Sequence, residues 1–379
     1  MKHQGLVHDA ASGWRAPLPA NLDSARTLVL AFSAPDLAQD SQPFVDLAAA
    51  FPSAVVIGCS TSGEIADQRV HDGSVSVAVA QFDHTDLRLA STRIDGIADS
   101  YSAGARLARE LVSDDLRAVF VLSGGLEVNG TQLVDGLAAG VKSETVITGG
   151  LAGDCGRFAT TWIYAQGERR SQHACAVGLY GNRLRVGHGF DIGCLAFGPE
   201  RRITRSVGNE LFELDEKPAL DLYKAYLGER AAGLPGTALL FPLTVRRDVS
   251  DPGELVRTIL AVDEDAKSLR FAGDIPQGGI ARLMRVNTEK LIGSAGEASR
   301  RALAPLLDAQ DALLISVSCI GRRMVLGERT DEEIEAVLDN APPRTTHVGF
   351  YSYGEISPGF NRCAELHNQT MTVTAFGEV

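Results

Sequence analysis

The chain of 379 residues is 45% hydrophobic and 22% charged, with a formal net charge of −12. That balance excludes a protein whose main task is to neutralise phosphates, because nucleic-acid binders present a basic face. The length allows one very large or two ordinary domains, and two are expected. No secretion core opens the chain and no apolar run approaches the ~20 residues of a membrane span, so a cytoplasmic protein without nucleic-acid or membrane partners is expected.

Residues 1–25 show no period and read as a loosely docked arm. The run 27–32 is continuously apolar, as expected of a strand covered on both faces; 44–50 reads as a helix, and 54–57 as a strand that delivers a glycine loop. Strand 75–82 follows. The unit then recurs, with helix 101–112, strand 118–122, a helix over 132–139 and strand 145–148 running into Gly149-Gly-Leu-Ala-Gly153-Asp154. This alternation is the pattern of parallel βαβ construction. Segments 161–164, 174–180 and 184–186 read as antiparallel additions, and 218–227 as a helix with proline in its first turn. Glycine and proline crowd 228–236, the best boundary between two halves. Beyond it, 238–245, 255–262, 280–286 and 311–318 are strand candidates. Thr330-Asp-Glu-Glu333 spells a capping box before a helix, and strand 346–350 enters another glycine loop.

Two stretches at opposite ends carry nearly the same spelling. Gly58-Cys-Ser-Thr-Ser-Gly63-Glu64-Ile65 is followed by His71-Asp-Gly-Ser-Val-Ser-Val77, and Gly349-Phe-Tyr-Ser-Tyr-Gly354-Glu355-Ile356 by His367-Asn-Gln-Thr-Met-Thr-Val373. A backbone device used twice after a buried strand implies internal duplication, with the glycine loops gathered near one site. The expected fold class is therefore α/β: two mixed-sheet halves built from duplicated strand, helix, strand and glycine-loop units.

Common catalytic spellings are missing: no phosphate loop, nucleophile elbow, metalloprotease His pair or dinucleotide fingerprint occurs. A non-enzyme is expected. The six cysteines lie singly, as buried thiols of a reducing compartment do. Cys59 or Ser60 with His71 as base is the weaker catalytic reading. Glu64 and Glu355 each follow a glycine at a strand end, where open α/β sheets form ligand crevices. They either recognise an amino or hydroxyl group or tie the turn together, and the tie is favoured; His367 and His71 face the same choice. Gly187-His188-Gly189 leaves an imidazole without bulky neighbours, as an axial haem ligand requires. Arg183, Arg185, Arg201, Arg202 and Arg205 cluster nearby in sequence and suit propionate pairing. The competing reading is a glycine loop with solvated arginines.

These residues resemble a known family. The stretch from Gly58 to Ile65, Thr148-Gly-Gly-Leu-Ala-Gly-Asp154, Arg202-Ile-Thr-Arg-Ser, Phe241-Pro-Leu, and the closing motifs 349–356 and 366–371 are similar to the FIST family over roughly residues 25–379. The resemblance implies a bacterial sensory module in signal transduction, with an arm over 1–25, a FIST N-terminal domain over 26–228 and a FIST C-terminal domain over 229–379. The run from Tyr180 to Gly189 with Phe197-Gly-Pro-Glu-Arg also resembles the nitric-oxide-sensing haem proteins of the NosP branch, although Ile192-Gly-Cys-Leu-Ala replaces a tryptophan-rich loop. That likeness implies haem b held by His188 as metal ligand, Arg183, Arg185, Arg202 and Arg205 as cofactor contacts, and a histidine kinase or cyclic-di-GMP enzyme as partner, with homo-oligomers allowed. The alternative is a FIST sensor without haem that binds a small organic ligand such as an amino acid among Gly63, Glu64, Gly153, Asp154, Gly354, Glu355 and His367.

Overall fold

The computed structural model describes residues 1–38, 42–165, 167–251, 253–359 and 363–379. It is a mixed α/β molecule in which one unit occurs three times, where sequence spelling shows two copies. In each unit a parallel strand pair is followed by an antiparallel strand and flanked by one that precedes the unit. The sheet order is Val55–Ser60, Thr27–Ser33, Ser74–Gln81, Lys2–Asp9 in the first unit and Val146–Leu151, Leu116–Ser123, His173–Tyr180, Asp86–Arg93 in the second. The third runs Arg344–Ser352, Asp311–Cys319, Thr370–Glu378, Leu184–Ile192.

The same register point anchors all three. Gly58 lies beside Ala31, Gly149 beside Val121 and Gly349 beside Ser316, and a Cβ on any of these glycines would collide with the neighbouring carbonyl oxygen. The loop after Gly149 reaches its acid, Asp154, one residue sooner than the loops reaching Glu64 and Glu355.

A short strand then leaves each unit and joins another unit's sheet. Glu64–Ala66 pairs with Arg344–Ser352, Ile163–Ala165 with Val55–Ser60, and Gly354–Pro358 with Val146–Leu151. This cyclic exchange makes the three sheets one body. Their inner faces meet in a shared core that includes Leu30, Ile57, Phe120, Val177, Ile315 and Phe350, all at most 1% exposed. Their outer faces bury helices: Gln42–Ala50 on the first, Ser100–Leu111 and Gly130–Ala139 on the second, Thr288–Leu303 and Thr330–Leu338 on the third. Strands covered on both faces require the continuous apolar runs the sequence shows.

Between Ile192 and Thr288 the third unit is interrupted by a lobe. Its eight-stranded antiparallel sheet, centred on Cys194–Val207 and Ile280–Val286, buries the helix Ala219–Leu227 over Ile203, Leu243 and Phe271. The seam at 228–236 lies within this lobe, in short 3-10 turns at Gly228–Gly233 and Gly236–Leu240.

Several expectations need correcting. Residues Lys2–Asp9 form a strand paired along its length with Ser74–Gln81, so the first part of the arm is a sheet element. The expected strand at 238–245 is a 3-10 turn followed by the strand Leu243–Arg246. Thr330 and Glu333 form no capping box: Thr330 Oγ1 donates to the Gly327 carbonyl, and Glu333 is drawn inward to accept from buried Arg322. The pull of an interior cation outweighs a surface cap here.

Candidate functional site

The structure laces the three acid loops together. The Ser62 amide donates to the Tyr351 carbonyl at 2.8 Å, the Gly153 amide to Ser60 at 2.9 Å, and the Tyr353 amide to Leu151 at 3.2 Å. Gly63 holds a positive φ of 133°, which favours glycine, a Cβ on Gly153 would crowd the Ser62 hydroxyl and amide, and Gly354 packs closely against Leu151 and Leu366. The acids serve as ties in the knot. Glu64, 1% exposed, accepts from Thr61 Oγ1 and from the amide and hydroxyl of Ser74. Glu355, 0% exposed, repeats this with Ser352 and Thr370. Asp154 accepts from the amides of Phe158, Ala159 and Thr160 and from the Tyr353 hydroxyl. Burial opposes its ionisation, but those donors outweigh burial and hold its carboxyl below the usual range. His367 is buried, with its ring 4.4 Å from that of Phe190 and Nε2 at 3.0 Å from the Ser357 carbonyl. Burial lowers this imidazole to about 4, which keeps it neutral.

The residues present do not fit a haem. Gly187 and Gly189 are glycines because the helix Thr288–Leu303 packs on them: an added Cβ would strike the carbonyl oxygens of Ala302 and Ala298. By strand alternation His188 faces the other way, between Val186 on the shared core and Phe190 on His367. Arg185 has the parity of the glycines and so leaves the opposite face. Arg183 lies 3.3 Å from His84, while Arg205 is in the lobe, paired with Glu213 at 2.9 Å and over the Phe212 ring. Arg202 also belongs to the lobe's strand Cys194–Val207, and its amide donates to Asp215. The arginines therefore do not converge on His188. Cys59 is wholly buried in the shared core, and burial drives its thiol well above the usual range, against a nucleophilic role.

A cavity of about 330 Å³ lies elsewhere, between the three-unit body and the lobe. From the body it takes the ends of parallel strands and the loops that follow them: Leu126 and Val128 after Leu116–Ser123, Leu151, and Cys319 to Gly321 after Asp311–Cys319. Carboxyl ends of parallel strands are where open α/β sheets hold ligands. The lobe contributes Leu239, Ile259, Leu260 and Phe271. Phe158 and Tyr353 stack at 4.7 Å and 15° along one side, with the Tyr353 hydroxyl fixed by Asp154 and the Gly156 amide.

Into this apolar lining the chain places two unsatisfied polar side chains. Asn368 is 0% exposed, and neither its Oδ1 nor its Nδ2 has a hydrogen-bond partner among the described residues. Thr258, 5% exposed, has an equally unpartnered Oγ1. An unpaired buried polar group costs ~1–3 kcal/mol, so such atoms call for a partner, which a water or a ligand can supply. The equivalent residue of the first unit is Asp72, and it pairs with Arg323 at 2.6 Å. The same turn position is thus satisfied in one unit and open in another. Sequence reasoning selected His367 from this motif and passed over Asn368; the signal was two amides, Asn368-Gln369, in a turn between apolar strands.

A model of the FIST N domain matches residues 27–217, and one of the FIST C domain matches residues 219–358. The chain belongs to the FIST family. FIST domains are associated with sensory signal transduction. An uncharacterized protein of Methanocaldococcus jannaschii is 27% identical over 210 residues, a match spanning 51% of this FIST chain and 38% of the relative. The crystal structure of a cyanuric acid hydrolase from A. caulinodans superposes with a TM-score of 0.41 and 8% identity, over 100% of this chain and 98% of the other. No described helix of this FIST protein is long and apolar enough to cross a membrane.

Proposed function

We propose that this FIST protein is an intracellular sensor of a small organic ligand, held in the cavity between the three-unit body and the inserted lobe. The observation that carries this reading is the unpartnered Asn368 amide, buried in a lining that is otherwise mostly apolar. Small-molecule sites have this composition, an apolar wall with a few convergent polar groups, and volumes of ~300–1,000 Å³. The cavity also joins two parts of the molecule. Gln369 Nε2 donates to the Leu239 carbonyl at 3.3 Å, tying the body's motif to the lobe turn Gly236–Leu240. A ligand touching both sides favours the lobe position that fits it, by the difference in its affinity for the two arrangements. The lobe surface then reports occupancy to a separate signalling enzyme, a histidine kinase or a cyclic-di-GMP enzyme.

The test is thermal unfolding against a panel of neutral, anionic and zwitterionic metabolites, with wild type beside Gly236→Phe. Gly236 lines the cavity, and a Cβ there meets no atom within 4 Å, so phenylalanine fills the space without a clash at its root. A ligand at 100 times its Kd stabilises the native state by about 2.7 kcal/mol. At least one compound is expected to raise the wild-type midpoint and leave that of Gly236→Phe unchanged. Equal shifts in both proteins, or none across the panel, contradict the reading.

A further inference from the structure

We infer that the ligand of this cavity is an uncharged molecule with a flat apolar body and one carboxamide or lactam edge, which Asn368 recognises through both atoms of its amide. The inference rests on the sensor reading above and specifies its substrate class. A primary amide presents an N–H donor and a carbonyl acceptor side by side in one plane. Both atoms of the Asn368 amide are buried and lack a partner among the described residues, so the complementary edge carries one acceptor and one donor in the same spacing. A ligand with only an acceptor or only a donor leaves half of that amide unpaired in a buried site, which is a strong basis for rejection.

Charge narrows the class. Among the described residues neither Lys nor Arg lines the cavity, so a carboxylate would be desolvated there without a counter-charge from them. Glu127, the one acid among the described lining residues, is exposed and engaged by Gln172 Nε2, so these residues offer no buried anion to hold an ammonium group. Burial also keeps the Cys319 thiol neutral by raising its pKa. The stacked pair Phe158 and Tyr353 supplies a flat wall, which favours a planar body. Thr258 Oγ1 adds to the same lining a hydroxyl that turns to donate or accept.

Titration with four near-isosteres tests this: benzamide, benzoate, benzylamine and toluene, measured by calorimetry or ligand-observed NMR on the full chain. Benzamide is expected to bind wild type about tenfold or more tightly than each of the others. Asn368→Leu should bring benzamide to the level of toluene while leaving toluene within about threefold of its wild-type affinity. If Asn368→Leu fails to fold, Thr258→Val serves in its place, with a smaller loss of benzamide preference of about threefold or more expected. If benzamide binds no better than toluene, as an ordered water on Asn368 would bring about, or if benzoate or benzylamine is preferred, the inference is overturned while the cavity stands. So too if the benzamide preference survives Asn368→Leu. Binding that Gly236→Phe does not weaken, or no binding by any of the four, overturns the cavity reading and the inference together.

Discussion

Glu64 and Glu355 occupy equivalent places in two loops, and their surroundings set how stability responds to pH. Burial lifts Glu64 from 4.5 to about 7 and Glu355 from 4.5 to about 8. The folded state therefore holds more protons than the unfolded chain in this range. The stability is fully present below about 4.5 and is lost as pH rises through about 8. His347 and His367, lowered by burial from 6.5 to about 4, act in the opposite sense and cost stability as pH falls from 6.5. Between pH 6.5 and 8 the carboxylates dominate, and the imidazoles of the unfolded chain oppose them by a smaller amount. Urea unfolding is expected to show wild type losing on the order of 2 kcal/mol over that interval, and Glu64→Gln/Glu355→Gln losing less than half as much. Parallel curves for the two proteins would contradict the assignment. At this scale the sequence marked both acids and the hydrogen-bonded tie, since the spelling repeats. It did not mark Asn368, because whether a turn amide finds partners depends on which side chains the fold brings beside it.

The glycines around His188 serve the helix packed against their strand. Gly187 and Gly189 sit on the strand Leu184–Ile192 where the helix Thr288–Leu303 crosses at carbonyl distance. Gly187→Ala and Gly189→Ala are each expected to destabilise the protein by about 1–3 kcal/mol through overpacking, and His188→Ala by less; the reverse order in chemical denaturation would show that the histidine is what the glycines serve. The helix itself was not legible. Its buried face is largely Ser294, Ala295, Ala298, Ser299 and Ala302, small residues that permit the close approach but give a weak apolar stripe. By contrast, Thr27–Ser33 and Leu116–Ser123 were legible as unbroken apolar runs, because a strand covered on both faces admits little else.

The whole molecule is held by strands that cross between units, and this part of the architecture lay beyond sequence pattern. Pairing partners such as Glu64–Ala66 and Arg344–Ser352 are far apart along the chain, and periodicity carries no record of which strand neighbours which. The recurrence leading to Gly149 and Asp154 was legible as element order, but its spelling departs from the other two, since its loop is a residue shorter and carries Asp154 in place of Glu. A consequence concerns the seam near residue 228. Leu184–Ile192 pairs along nine residues with Thr370–Glu378, so a break there divides shared sheets. Fragments 1–228 and 229–379 expressed alone are expected to lack cooperative unfolding, and co-expressed they should assemble into one folded complex. Two independently folded fragments would show that the exchanged strands are dispensable.

Hydrogen exchange with benzamide present and absent reports where on the body and the lobe a ligand is felt. Slowed exchange is predicted jointly in the body segments 125–128 and 319–321 and the lobe segments 236–240 and 258–260, with little change along 184–192. Protection centred on 184–192 or on the acid loops, or none in the lobe, would contradict a sensor whose ligand sits between the two.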